Sequence, residues 1–214
     1  MIKENNKTNL AIAKKEWNKK KGKKIEWKTS DYFLLREGEH LNIYIESSVE
    51  KEDWMRNFKC PPKKCHIGNE IIYIHGGFHE AFTELIDSLY RELVGVKTVN
   101  ISGYSLGGAL AQILNIYLKL TTDIKVLSVV TFGSPKPFRN LNTKGYRTSL
   151  CLSTNVTNYI INRDIVPKLP PVIYSAVGKT VHLKGTNKPK NIIDWLIQPF
   201  TDHASYWEIL REIK

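Results

Sequence analysis

The sequence predicts an α/β fold, a mostly parallel central sheet with helices on both faces. Two observations carry this expectation. Short runs rich in Val, Ile and Leu alternate with longer stretches whose apolar residues recur at helical spacing, the pattern of β-α-β units. The second is the stretch from residue 98 to residue 120. It reads as a β-prone run (Thr98 to Ser102), a glycine-bounded turn (Gly103-Tyr104-Ser105-Leu106-Gly107-Gly108) and a run of helix formers (Ala109 to Leu120).

The chain has 214 residues and contains no repeat and no Gly/Ser- or Pro-rich linker, so residues 1–214 are read as a single domain. Residues 1–30 stand apart as a basic segment. Ten lysines face only Glu4, Glu16 and Glu26 in the first 28 residues. The formal net charge of the whole chain is +11. Such a segment is a solvated end, or it is drawn to an anionic lipid surface. Nucleic acid is not expected as a partner, because the segment has no Arg and its only aromatic residues are Trp17 and Trp27. No apolar run approaches the ~20 residues of a membrane span. The first residues lack the apolar core of a secretory signal, which makes a cytoplasmic location the expectation.

Taken in order, Leu10 to Lys21 has Leu10, Ala13 and Trp17 on one helical side. Ile25 to Arg36 suits an outer strand pair, and Leu41 to Ile45 is a strand that runs into the polar Glu46-Ser47-Ser48. Glu50 to Phe58 reads as a short helix displaying Trp54, Met55 and Phe58, stopped by Pro61-Pro62. Ile71 to Phe78 is a strand meeting a turn. His79 to Leu93 is a helix burying Phe82, Leu85, Ile86 and Leu89. After the strand, turn and helix of residues 98–120 come a buried strand at Lys125 to Phe132, another at Val156 to Ile161, and a terminal helix at Ala204 to Ile213 with His203 just before it.

The odd number of cysteines, three, does not make a disulfide framework. Cys60 and Cys65 are close enough in sequence to pair on oxidation. With His66 they give a loose metal-ligand spacing that no second ligand pair completes, so no metal and no cofactor is expected. Cys151 reads as a small core residue.

Strand, G-x-S-x-G and helix together form the context of a nucleophile elbow. Ser105 would stand at a helix N-terminus, where backbone N–H groups and the helix dipole favour developing negative charge. A serine hydroxyl needs a base, and the base needs an orienting carboxylate. In such elbows the acid follows the nucleophile and the histidine comes last. Of His182 and His203, the second has the terminal position. Among Asp123, Asp164, Asp194 and Asp202, Asp164 follows a strand at the sheet edge where ligands bind. Leu106, directly after the nucleophile, supplies one oxyanion N–H. Two upstream stretches compete for the other donor, His75-Gly76-Gly77-Phe78 and Ser48.

These stretches resemble the class 3 lipases, the group that contains the triacylglycerol lipases of filamentous fungi. The resemblance is carried by Ile43 to Ser48 with Asp53-Trp54, and by IHGGFHEAF (74–82), ISGYSLGGALA (101–111), VVTFGSPKPF (129–138), INRDIVPKLPP (161–171) and DHASYW (202–207). It covers most of the chain from about residue 40. It implies an α/β-hydrolase fold, a lipid ester substrate, and Ser105, Asp164 and His203 as the catalytic set. It also implies Ser48 as the side-chain oxyanion donor, His75 as a structural residue, and Glu50 to Phe58 as a lid bearing Trp54, Met55 and Phe58. A phospholipase A1, recruited to anionic membranes by the basic segment, is the neighbouring alternative. A membrane-binding module with an idle triad is the alternative from another class.

Overall fold

The computed structural model describes residues 23–25, 31–46, 60–139, 144–161, 163–184, 203 and 206. Ser48, Trp54, Met55 and Phe58 lie outside them, as do the expected helices at Leu10 to Lys21 and Glu50 to Phe58.

The central sheet has seven strands, β1 (Lys23–Ile25), β2 (Asp31–Glu37), β3 (His40–Glu46), β6 (Thr98–Tyr104), β7 (Lys125–Phe132), β9 (Val156–Ile161) and β11 (Lys179–Leu183), in that spatial order. From β3 onward every pairing is parallel; β1 and β2 add an antiparallel edge, the outer pair expected from the sequence. The parallel order brings the carboxyl ends of β6, β7 and β9 to one edge. Ser105 stands there, and Asp164 follows β9 by three residues.

Period-two alternation sends the two sets of side chains to opposite faces. Leu41, Ile43 and Ile45 on β3, Val99 and Ile101 on β6, and Val126 and Val129 on β7 form one face. They pack under α1 (Gly76–Leu89) and α2 (Leu106–Thr121). Helix α2 is buried almost all the way round, with Leu110, Ile113, Leu114, Ile116 and Leu118 fully enclosed, because it lies between the sheet and α1. The opposite face carries a smaller, aromatic cluster of Phe33, Tyr44, Val130, Phe132, Tyr159 and Ile161, joined by Tyr206. His203 and Tyr206 are both in helical backbone, so helical residues meet both faces of the sheet, and His203 lies within a helical turn rather than before one.

Four features depart from the sequence reading. Helix α1 starts at Gly76, three residues earlier than expected. The Gly76 N–H donates to Pro61 O, 3.2 Å away, and the chain turns from strand to helix without a loop; Phe78 and Ala81 join the buried face while Ile86 is only partly covered. The strand around Ile71 to His75 is β5 (Glu70–His75), and it belongs to a second sheet, with β4 (Pro62–Ile67), β8 (Phe138–Arg139) and β10 (Tyr174–Ser175). In β7 the register slips, so that Val99 pairs with Val126 but Asn100 pairs with Ser128. The extra residue, Leu127, is turned outward and exposed. Helix α3 (Lys144–Leu152) has no counterpart in the sequence reading. It buries Ser149, while Cys151, two residues on and so on the other side of the helix, is exposed rather than in the core.

Cys60 and Cys65 are free thiols. Cys65 lies within β4, three residues beyond Pro62, which pairs with His75. Cys60 lies beside Gly76 at the far end of that hairpin. Burial pushes the Cys65 thiol up to about 11, so it behaves as a small apolar residue. Among the described residues no cluster of three His, Cys, Asp or Glu side chains is placed to hold a metal, and no helix is long and apolar enough to cross a membrane.

Leu110 is fully enclosed between sheet and helices. Leu110→Ala is expected to cost about 2–5 kcal/mol through lost transfer energy and the cavity left behind, read as a lower urea midpoint with an unchanged slope.

Candidate active site

Ser105 joins β6 to α2 and has φ 54° and ψ −125°, a conformation that non-glycine residues rarely adopt. Its neighbours make the turn possible. A β-carbon on Gly103 would strike the carbonyl of Gly107, and one on Gly107 would strike the carbonyl of Ile45 in β3. The turn is pinned by the Ser105 N–H donating to Phe132 O (2.9 Å) and the Gly108 N–H donating to Ser105 O (2.9 Å). Leu106 is the first residue of α2, so its N–H is among the first-turn amides that have no acceptor within the helix.

Three residues far apart in sequence meet at this edge. His203 Nε2 lies 2.9 Å from Ser105 Oγ, and His203 Nδ1 lies 2.9 Å from Asp164 Oδ2. All three are buried. A carboxylate only accepts, so Nδ1–H is the donor to Asp164. Nε2 is then the acceptor for the Ser105 hydroxyl. Asp164 is fully enclosed, and a buried carboxylate must be hydrogen-bonded. Its Oδ1 accepts the Val166 N–H (2.9 Å), and its Oδ2 also accepts the Tyr206 hydroxyl (2.7 Å). Tyr206 in turn accepts the Ile161 N–H (2.9 Å). Burial, followed by the Asp164 charge, holds the Tyr206 phenol well above its ordinary pKa, so it stays a donor.

The remaining candidates fall elsewhere. His182 is exposed on the edge strand β11, and Asp123 is exposed at the opposite end of the sheet. His75 is buried in the second sheet, with its ring 4.6 Å from Phe78 and 5.3 Å from Tyr174. That packing suits a structural residue. Asp194, Asp202 and Ser48 are outside the described residues.

Three residues at the site escaped the sequence reading. Tyr206 is one helical turn after His203, a spacing that puts both on one helix face. Tyr104, the second residue of the elbow motif, stacks on the His203 ring at 5.1 Å and 21° and donates its hydroxyl to His203 O at 2.7 Å. Gly133 follows β7 with φ +58°. A β-carbon there would lie 2.9 Å from Asp164 Oδ2 and 2.9 Å from both Nδ1 and Cε1 of His203. The sequence signal for all three is adjacency to a motif residue or to a strand end at the reactive edge.

Chemically, this is a hydroxyl with a base in reach and the base oriented by a carboxylate, an arrangement that raises serine nucleophilicity. Gly133→Ala pushes a methyl group between acid and base. The rate of labelling by a fluorophosphonate is expected to fall by about a hundredfold with the circular dichroism spectrum retained. An unchanged labelling rate would contradict this close fit.

Residues 42–174 match the family Lipase (class 3). The chain is 27% identical over 138 residues to "Secreted mono- and diacylglycerol lipase 1" of Fusarium solani, covering 62% of this chain and 40% of that protein. It is 30% identical over 136 residues to "Toxin TseL" of Vibrio cholerae, covering 61% of this chain and 20% of that one. The chain thus spans less than half the length of either curated relative. Among solved structures, lipase II from Rhizopus niveus superposes with a TM-score of 0.69 at 18% identity, covering 95% of this chain and 93% of that one. At that identity the likeness concerns the fold, which is the α/β-hydrolase fold expected from the sequence. With the family profile matching more than half of its residues, the chain belongs to the class 3 lipases.

Proposed function

We propose that this protein hydrolyses acylglycerol or related lipid esters through an acyl-enzyme on Ser105. The observation that carries the reading is the buried relay Ser105 Oγ, His203 Nε2, His203 Nδ1, Asp164 Oδ2, with 2.9 Å at both links. His203 takes the Ser105 proton as Oγ attacks the ester carbonyl carbon. The Leu106 N–H and, by its place in the family pattern, Ser48 receive the oxyanion. The protonated His203 then gives its proton to the leaving alcohol. Water, deprotonated by the same imidazole, attacks the acyl carbon, and His203 returns that proton to Oγ as the acid leaves and Ser105 is freed. Asp164 holds the tautomer and offsets the charge of the imidazolium. Every step runs on side chains and backbone of this chain and asks for no cofactor.

The substrate class rests on family membership and on the name of the Fusarium relative, a mono- and diacylglycerol lipase. That relative is by name secreted, so it lends no support to a cytoplasmic location. Trp54, Met55 and Phe58 are proposed as the apolar face of a lid. The basic segment of residues 1–30 is proposed as a contact for anionic membranes, which is the feature that favours a phospholipase A1 as the second reading.

One panel separates these readings: a soluble short-chain ester, an emulsified triacylglycerol and anionic phospholipid vesicles, each with wild type and Ser105→Ala. Emulsion hydrolysis that drops by at least about a thousandfold in Ser105→Ala is expected. A preference for vesicles that declines with ionic strength identifies the phospholipase instead. Equal rates on monomeric and aggregated ester exclude the lid. Activity that survives Ser105→Ala overturns the mechanism, and no activity on any substrate leaves the idle binding module.

A further inference from the structure

The His203 imidazole sits in a slot. Tyr104 lies on one face, ring centroids 5.1 Å apart and planes inclined by 21°. Gly133 approaches the same ring so closely that a β-carbon would be 2.9 Å from Nδ1 and Cε1. Tyr206 meets it edge-on at 6.2 Å and 82°. The phenol of Tyr104 also donates to the His203 backbone carbonyl at 2.7 Å. One side chain therefore holds both the ring and the main chain of the base, and it belongs to the residue immediately before the nucleophile.

We propose that Tyr104 is a positioning residue for His203, fixing the imidazole against Ser105 and giving the charge that develops on it an aromatic face. This rests on the reading of Ser105, His203 and Asp164 as an ester-hydrolysing triad. The rigid turn at Ser105 fixes the direction in which Tyr104 leaves β6. Tyr104 thus transfers the register of the elbow to a residue 99 positions later in the chain. An aromatic face within about 6 Å of a cation attracts it, and His203 becomes a cation in both halves of the acyl-transfer cycle. Such a face attracts imidazolium more strongly than neutral imidazole, so the added part of its contribution appears as charge develops.

The groups facing His203 are Asp164 at Nδ1, Ser105 at Nε2, and the phenols of Tyr104 and Tyr206. Glu46 acts on the phenol of Tyr104 from the end of β3. Burial first, then the charges of Asp164 and Glu46, push the Tyr104 phenol well above its ordinary pKa. It therefore keeps its proton, and its bond to the His203 carbonyl, throughout the range in which an imidazole titrates.

The test is the separate measurement of kcat and KM on a soluble short-chain ester for wild type, Tyr104→Phe, Tyr104→Leu and Phe33→Leu. Phe33 thins the same aromatic cluster from the β2 side. Tyr104→Phe keeps the ring and loses the carbonyl anchor. Its kcat is expected to fall about tenfold with KM unchanged, the loss of one geometry-fixing contact. Tyr104→Leu removes the ring as well and is expected to lower kcat about tenfold further, again with KM unchanged. Phe33→Leu is expected to lower the urea midpoint and leave kcat within about twofold of wild type. A Tyr104→Leu kcat no lower than that of Tyr104→Phe, or a Tyr104→Phe kcat within twofold of wild type, overturns the proposal. If Tyr104→Leu does not fold, the kcat of Tyr104→Phe decides alone. Ser105→Ala in the same assay separates the two levels. Activity surviving it sinks the triad, whereas loss in Ser105→Ala with indifferent Tyr104 variants sinks only the role of Tyr104.

Discussion

The backbone reversal at Ser105 is the constraint on which the site depends. A serine held at φ 54° and ψ −125° costs on the order of 1–3 kcal/mol and persists only where its surroundings over-determine it. Here they do. The strand before it is clamped between β3 and β7, the helix after it is enclosed by apolar side chains, and the Ser105 N–H is tied to Phe132 O. Gly103 and Gly107 let helix and strand come into backbone contact with each other and with Ile45. A side chain at either position would force the helix away and relax the turn. The fold and the nucleophile are therefore one structure: the core that stabilises α2 also holds Ser105 in its strained geometry.

The same compactness solves an electrostatic problem. Asp164 is fully enclosed, and a buried carboxylate without partners would be strongly disfavoured. Three donors reach it, from His203, Tyr206 and the Val166 backbone. Tyr206 is itself held by the Ile161 N–H at the end of β9. The acid is thus anchored to the strand that delivers it. Gly133 leaves room for acid and base to meet at 2.9 Å. Gln112 of α2 donates to Ser134 Oγ at 2.8 Å and accepts the Val177 N–H at 2.9 Å. The loop after β7 is thereby tied to the nucleophile's helix and to the chain entering β11.

What was legible in the sequence follows from how local each signal is. The elbow announces itself in six consecutive residues, and chain order then picks out Asp164 and His203. Strands β2, β3, β6, β7 and β9 are apolar enough to be read directly, because at least one of their faces is buried. Strand β4 was missed because it is mostly exposed, burying only Cys65 and Ile67, and a proline opens it. Helix α3 was missed because polar residues such as Ser149 face inward. The bulge at Leu127 follows from pairing register, which a single strand does not encode. Tyr104, Gly133 and Tyr206 were missed for a further reason. Their contacts with His203 and Asp164 span the chain, and nothing in a tyrosine or a glycine by itself marks it as a wall of a site.

The claim on which the account stands is that Ser105 carries the acyl group. The most direct measurement is rapid acid quench during turnover of a chromogenic ester, followed by digestion and mass spectrometry of the peptide containing residue 105. The account predicts that this peptide gains the mass of the acyl group on Ser105 in the first turnover, and that the adduct disappears as substrate is exhausted. Turnover with the acyl group on another residue, or with no covalent adduct at any quench time under conditions that show a burst, would contradict it.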